Sequence, residues 1–199
     1  MRIKGLITSA LLASLTAGVA APALAGDLTN WAGISFGQTD FNNNNLSGIT
    51  PGTVDSTGNN FKIHLGFPIT SNLGLEVGYM DLGKQSITAG ADNANAKAKI
   101  YNVDLLGKID VRDDVFIFGK AGFYWWGMHS DKLVSGTTST ADDDGFKLKY
   151  GLGLQYNATP EIGLRLEWER LDKLGFKGTT GQAGADLITI GAQYNFKFF

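Results

Sequence analysis

Glu161-Ile162-Gly163-Leu164-Arg165-Leu166-Glu167-Trp168-Glu169-Arg170-Leu171 sets an apolar residue at every second position from Ile162 to Trp168, with glycine or a charge between. Successive strand side chains point to opposite faces, so this segment predicts a strand with one greasy face and one charged face. Seven further segments repeat the pattern at about the same length, and the eight span 31–39, 60–67, 73–81, 99–110, 115–128, 146–156, 161–171 and 188–198. In the second, Phe61, Ile63, Leu65 and Phe67 alternate with Lys62, His64 and Gly66; in the third, Leu73, Leu75, Val77 and Tyr79 alternate with Gly74, Glu76, Gly78 and Met80. A soluble sandwich would turn the greasy faces inward onto each other. Here the opposite face carries mid-strand charges of both signs among glycines, which suits a narrow barrel interior, with the greasy face toward lipid.

The connections support this. Those at 68–72, 111–114 and 157–160 are short, whereas those at 40–58, 82–98, 129–145 and 172–186 are long and rich in Asn, Thr, Ser, Gly and Asp. Short turns on one side and long loops on the other are the outer-membrane pattern, and an even strand number puts both termini on the short-turn, periplasmic side. The expected fold is therefore all-β, an eight-stranded antiparallel transmembrane barrel. Closing the sheet removes its edges, which hydrocarbon cannot solvate. Trp31, Tyr79, Tyr101, Trp125, Tyr150, Trp168 and Tyr194 are expected in interfacial girdles.

Residues 1–25 read as a cleavable signal peptide ahead of a barrel domain at 26–199. Arg2 and Lys4 supply the positive start, 6–15 the apolar run, and Ala23-Leu24-Ala25 the small-x-small cleavage site. The net charge is −2 without a basic tract, which argues against nucleic acid as a partner. There is no cysteine, so an exported chain must rely on burial and hydrogen bonding. With 27 glycines, 11% aromatics and only 4 prolines, the composition fits a barrel better than a helical domain.

The segments Leu75-Glu76-Val77-Gly78-Tyr79 with Leu82-Gly83, Thr159-Pro160-Glu161-Ile162, Arg165-Leu166-Glu167-Trp168 and Tyr194-Asn195-Phe196 resemble the N-terminal transmembrane domain of the OmpA family. The resemblance covers nearly all of the sequence after residue 25. It implies insertion by the outer-membrane assembly machinery, which reads a terminal strand ending in an aromatic; Tyr194, Phe196, Phe198 and Phe199 would supply that signal. It also implies a charge network in the lumen, matched by Glu76, Lys108, Lys120, Arg165 and Glu167, while Gln155 stands where the family has an acid. Larger members continue into a peptidoglycan-binding domain, whereas this sequence ends at Phe199, so tethering to the cell wall is not expected.

Glu76, Lys108, Arg165 and Glu167 are expected on inward phases, with Glu76 held by Arg165 and Lys108 as the alternative partner; losing Glu76 is expected to open a leak. A static network and a partner-exchanging gate use the same residues. Catalysis is not expected, because His129 and Ser130 are adjacent on a strand and point to opposite faces. Asp142-Asp143-Asp144-Gly145 lacks the distal glutamate of a calcium-binding EF-hand loop, and the glycines of 178–184 lack the Lys-Ser/Thr of a phosphate loop, so neither a metal nor another cofactor is expected. The expected partners are outer-membrane lipid and lipopolysaccharide, the assembly machinery, and a surface ligand for the external loops. The function indicated is a structural and interaction barrel of the cell outer membrane, with a narrow, mostly closed pore and a loop-mediated adhesion or ligand receptor as alternatives.

Overall fold

The computed structural model describes residues 28–42, 53–55, 57–89, 92–134, 136–175 and 183–197. The expected signal peptide at 1–25 and the terminal Phe198 and Phe199 lie outside them. Nine strands form: β1 (Asn30–Asn42), β2 (Thr53–Asp55), β3 (Thr57–Pro68), β4 (Leu73–Ala89), β5 (Asp92–Arg112), β6 (Val115–Val134), β7 (Thr137–Asn157), β8 (Ile162–Leu174) and β9 (Ala183–Phe196). All but β2 close an antiparallel ring of eight, sealed where β1 meets β9 from Asn30↔Phe196 to Asn42↔Gly184. β2 lies against the far end of β4 through Thr53↔Thr88.

The alternation sorts as the barrel requires. Ile34, Phe36, Leu105, Ile117, Leu152, Leu164, Leu166 and Ile190 stand exposed on the outside, where lipid covers them. The tilted pair Tyr79 and Tyr101 and the stacked pair Phe123 and Phe146 join neighbouring strands on that surface. Trp31 departs from the girdle expectation. It shares the inward phase of Gly33, and its indole lies where a Cβ on Gly66 would be, 1.8 Å away, so only glycine fits there. The second special glycine is Gly83, whose φ of +77° suits the register shift between Asp81 and Lys84 on β4.

Two expected long loops are mostly strand. β4 and β5 stay paired to Ala89↔Asp92, and β6 and β7 to Val134↔Thr137. At Thr137 to Thr140 side chains of both phases are exposed, so the apolar alternation ends although backbone pairing continues. The pairing there is carried by residues such as Thr137, Thr138 and Thr140, which favour strands without needing burial. The connections at 40–58 and 172–186 lie partly outside the described residues.

Candidate functional site: a charged layer across the lumen

The inward phases of β3 to β8 meet at one level of the barrel. β3 contributes Lys62, β4 Glu76, β5 Asp104, β6 Lys120, β7 Lys149, and β8 Arg165, Glu167 and Glu169, all buried. Four cations face four anions, so the layer is neutral. Glu76 Oε2 accepts from Arg165 Nη1 at 2.7 Å and from the Trp31 indole at 3.3 Å, while its Oε1 lies 3.3 Å from Lys120 Nζ. Arg165 Nη2 is 2.5 Å from Glu167, so the guanidinium bridges two carboxylates with one nitrogen each. Lys120 lies 2.9 Å from Glu167 Oε1 and also contacts Glu169; Lys62 contacts Glu167 and lies 3.2 Å from Glu169. Lys149 closes the layer between Asp104 at 2.7 Å and Glu169 at 3.1 Å. Arg165 also covers the Phe118 ring, 4.2 Å from its centroid, and lies 3.3 Å from His64 Nε2. A lone buried ion costs several kcal/mol in desolvation, so this many charges can share a dry space only because each has a partner.

Of the residues expected in the network, Glu76, Lys120, Arg165 and Glu167 lie in this layer. Lys108 does not. It has the inward phase but sits near the turn end, where it is partly exposed, pairs with Asp110 at 3.1 Å and lies over Phe116. Strand position decides this, because the levels of the barrel differ in side chains even where the phase is shared. The cation competing with Arg165 for Glu76 is therefore Lys120. Gln155 is buried but lies on the turn-end side, donating to Asn157 at 2.9 Å, beside a cavity of about 360 Å3 that opens there. Lys62, expected inward by its phase, joins the layer, as do Asp104, Lys149 and Glu169, which the alternation puts on polar faces but the expected network does not include.

The opposite side of the layer is apolar. Met80, Leu82, Ile100, Tyr124, Trp126, Met128, Leu171, Leu174 and Leu187 form a buried cluster inside the hairpin end of the barrel. Its residues share the inward phase with the charges, so the inner face is greasy here. On β6, Ser130 is buried inside and His129 exposed outside, so the two do not pair.

The model of the outer membrane protein beta-barrel domain matches residues 9–196. The chain belongs to that family. Relatives of the chain include outer membrane protein A of Salmonella typhi, 30% identical over 135 residues, an alignment covering 66% of this chain and 38% of that relative. The chain thus spans less than half the length of this relative. Neisserial surface protein A has the same fold with a TM-score of 0.58 at 13% identity, over 84% of this chain and 97% of that one. OprG from Pseudomonas aeruginosa superposes with a TM-score of 0.57 at 12% identity, over 85% and 97% respectively. As a member of the outer membrane protein β-barrel family, the protein is an OmpA-like barrel of the cell outer membrane.

Proposed function

We propose that the protein is a structural and interaction barrel whose lumen is closed, with the short turns in the periplasm and the long hairpins outside. The observation that carries this reading is the stacking of two sealed layers in one narrow bore. The charged layer around Glu76 and Arg165 leaves its side chains buried, and beyond it Met80, Ile100, Tyr124, Trp126 and Leu171 fill the hairpin end. An eight-stranded barrel is only wide enough for side chains to fill, and here charged and then apolar side chains fill it level by level. What remains available for function is the outer surface and the projecting hairpins. Pairing of His129 with aspartates alone, away from Ser130, argues for a non-catalytic role.

Conductance in planar bilayers tests this reading. The wild type should show no steady open level. Glu76→Ala should also stay closed, because the apolar layer persists; this replaces the leak expected when the charges are considered alone. Steady conduction by the wild type would favour the narrow-pore reading, and conduction by Glu76→Ala alone would make the charged layer the only seal.

A further inference from the structure

A bulge on β4 decides where Lys84 points. β4 and β5 pair as Asp81↔Lys99 and next as Lys84↔Lys97, so Leu82 and Gly83 together stand opposite Ala98 alone. Gly83 takes a φ of +77°, and its amide donates to Asp81 Oδ1 at 3.0 Å. One extra residue flips every side chain beyond it to the other face. Leu82 is buried in the lumen, and in an unbroken strand Lys84 would share its face. With the bulge, Lys84 stands exposed on the outside.

The outer face at this level is cationic. On β5, Ala96, Ala98 and Ile100 are buried inside, so the exposed Lys97 and Lys99 between them point outward. The bulge sets Lys84 directly opposite Lys97, where like charges repel. Neighbouring acids do not relieve this. Asp81, opposite Lys99, accepts from the Gly83 amide, and Asp131 and Asp142 flank His129 at 3.3 and 2.7 Å. None of the three lysines forms an ion pair among the described residues. On the β6 side Lys99 faces Gly127, beside which the surface is open, and Asp144 on β7 bounds the patch beyond it.

The height of the patch points to its partner. Tyr79 and Tyr101, with ring centroids 5.3 Å apart, share the outer face on the lipid side of the lysines, and Trp125 stands opposite Tyr101. Such rings sit at the membrane–water interface. At about 3.3 Å per residue, Lys99 and Lys97 follow Tyr101 by about 7 and 13 Å along β5, and strand tilt shortens these heights by about a quarter. That is headgroup depth, within reach of a flexible lysine stem.

We propose that Lys84, Lys97 and Lys99 hold the phosphates of an anionic membrane lipid. Three cations in one patch favour a headgroup bearing two phosphates over one bearing a single phosphate. This deepens the interaction half of the reading above and rests on it only for which leaflet supplies the lipid. Detergent micelles offer the lipid to both ends alike, so a failed lipid test leaves the closed lumen and the orientation standing.

The experiment titrates a diphosphorylated glycolipid into the refolded full barrel in neutral maltoside micelles and follows backbone amide resonances. The lipid should shift Lys97, Lys99 and Gly127 saturably and leave Arg112, at the turn end, unmoved. A monophosphorylated form should bind roughly fivefold more weakly, and Lys84→Gln and Lys97→Gln should each cost a similar factor, the contribution of one surface lysine. The side chains are exposed, so these variants should keep the rest of the spectrum, and the comparison of lipids on the wild type needs no variant. Equal shifts by the glycolipid without phosphates, shifts at Arg112 as large as at Lys99, or full binding with all three lysines replaced by glutamine would each overturn the proposal. The same shifts with inorganic phosphate at equal concentration would assign the patch to free phosphate and overturn the lipid. Tighter binding of an alternating aspartate–threonine octapeptide would assign it to an acidic protein segment and overturn it too.

Discussion

Glu76 shows how one buried side chain can hold a layer together. Its carboxylate serves Arg165, Lys120 and the Trp31 indole at once. Deleting one member of a buried charge set leaves its partners uncompensated, so Glu76→Ala should cost about 3–5 kcal/mol. Urea unfolding in lipid vesicles measures this, and a loss below about 1 kcal/mol would mean that water or Glu167 compensates freely. Phase is tested by a second pair. Leu105 faces lipid between Leu75 and Ala121, so Leu105→Arg should cost about 2–4 kcal/mol near the midplane. Asn102 invites the expectation of a mild effect, since an inward polar residue in an open bore would tolerate arginine. The interior is filled, however: Asn102 donates to Asp104 at 2.8 Å and its Oδ1 comes within 2.8 Å of the position of a Cβ on Gly78. Asn102→Arg should therefore also destabilise, by about 1–3 kcal/mol from overpacking, and a neutral result in the same assay would indicate an open lumen.

The β6–β7 hairpin carries the chain's exposed histidine pairings. His129 donates from Nδ1 to Asp142, 2.7 Å away on β7, and its other ring nitrogen lies 3.3 Å from Asp131. The hydrogen bond to Asp142 comes first among the causes that raise its pKa, followed by the charge of Asp131. A raised folded pKa means that this tie is fully present below the ordinary imidazole value of about 6.5 and is lost as pH rises through the folded value. An NMR titration should place the His129 midpoint above that value and lower it in Asp142→Asn; a midpoint at or below it in the wild type would rule out the tie. This element also shows where the sequence was legible. Between Phe146 and Tyr156 the contrast of lipid and lumen writes itself as alternation. From Thr137 to Thr140 both phases are exposed, the contrast vanishes, and a strand looks like a loop. The site divides in the same way. Phase identified Glu76, Lys120, Arg165 and Glu167 as inward, but the level of each residue along the bore depends on inter-strand register. Lys108 therefore shares a phase with residues it does not meet, and the Tyr124–Trp126–Met128 stripe lines the lumen with no charge to mark it.

At the scale of the whole barrel, the two ends differ. One end has the compact turns around 69–72, 113–114 and 158–161, with the first described residues and Phe196; the other has hairpins reaching Ala89, Asp92, Val134 and Thr137. Chain insertion from the periplasm must carry the connections at one end across the membrane, and in outer-membrane barrels those connections are the long ones. The hairpin end should then face outward. Protease added to intact cells tests this, because an exposed hairpin end opens more readily than the closed ring below it. The expected cut lies in the Val134–Asp144 stretch of the β6–β7 hairpin, with the remaining barrel staying in the membrane. The Arg112–Asp114 turn should be cut only after the outer membrane is permeabilised. Cleavage of that turn in intact cells, with the hairpin spared until permeabilisation, would invert the barrel.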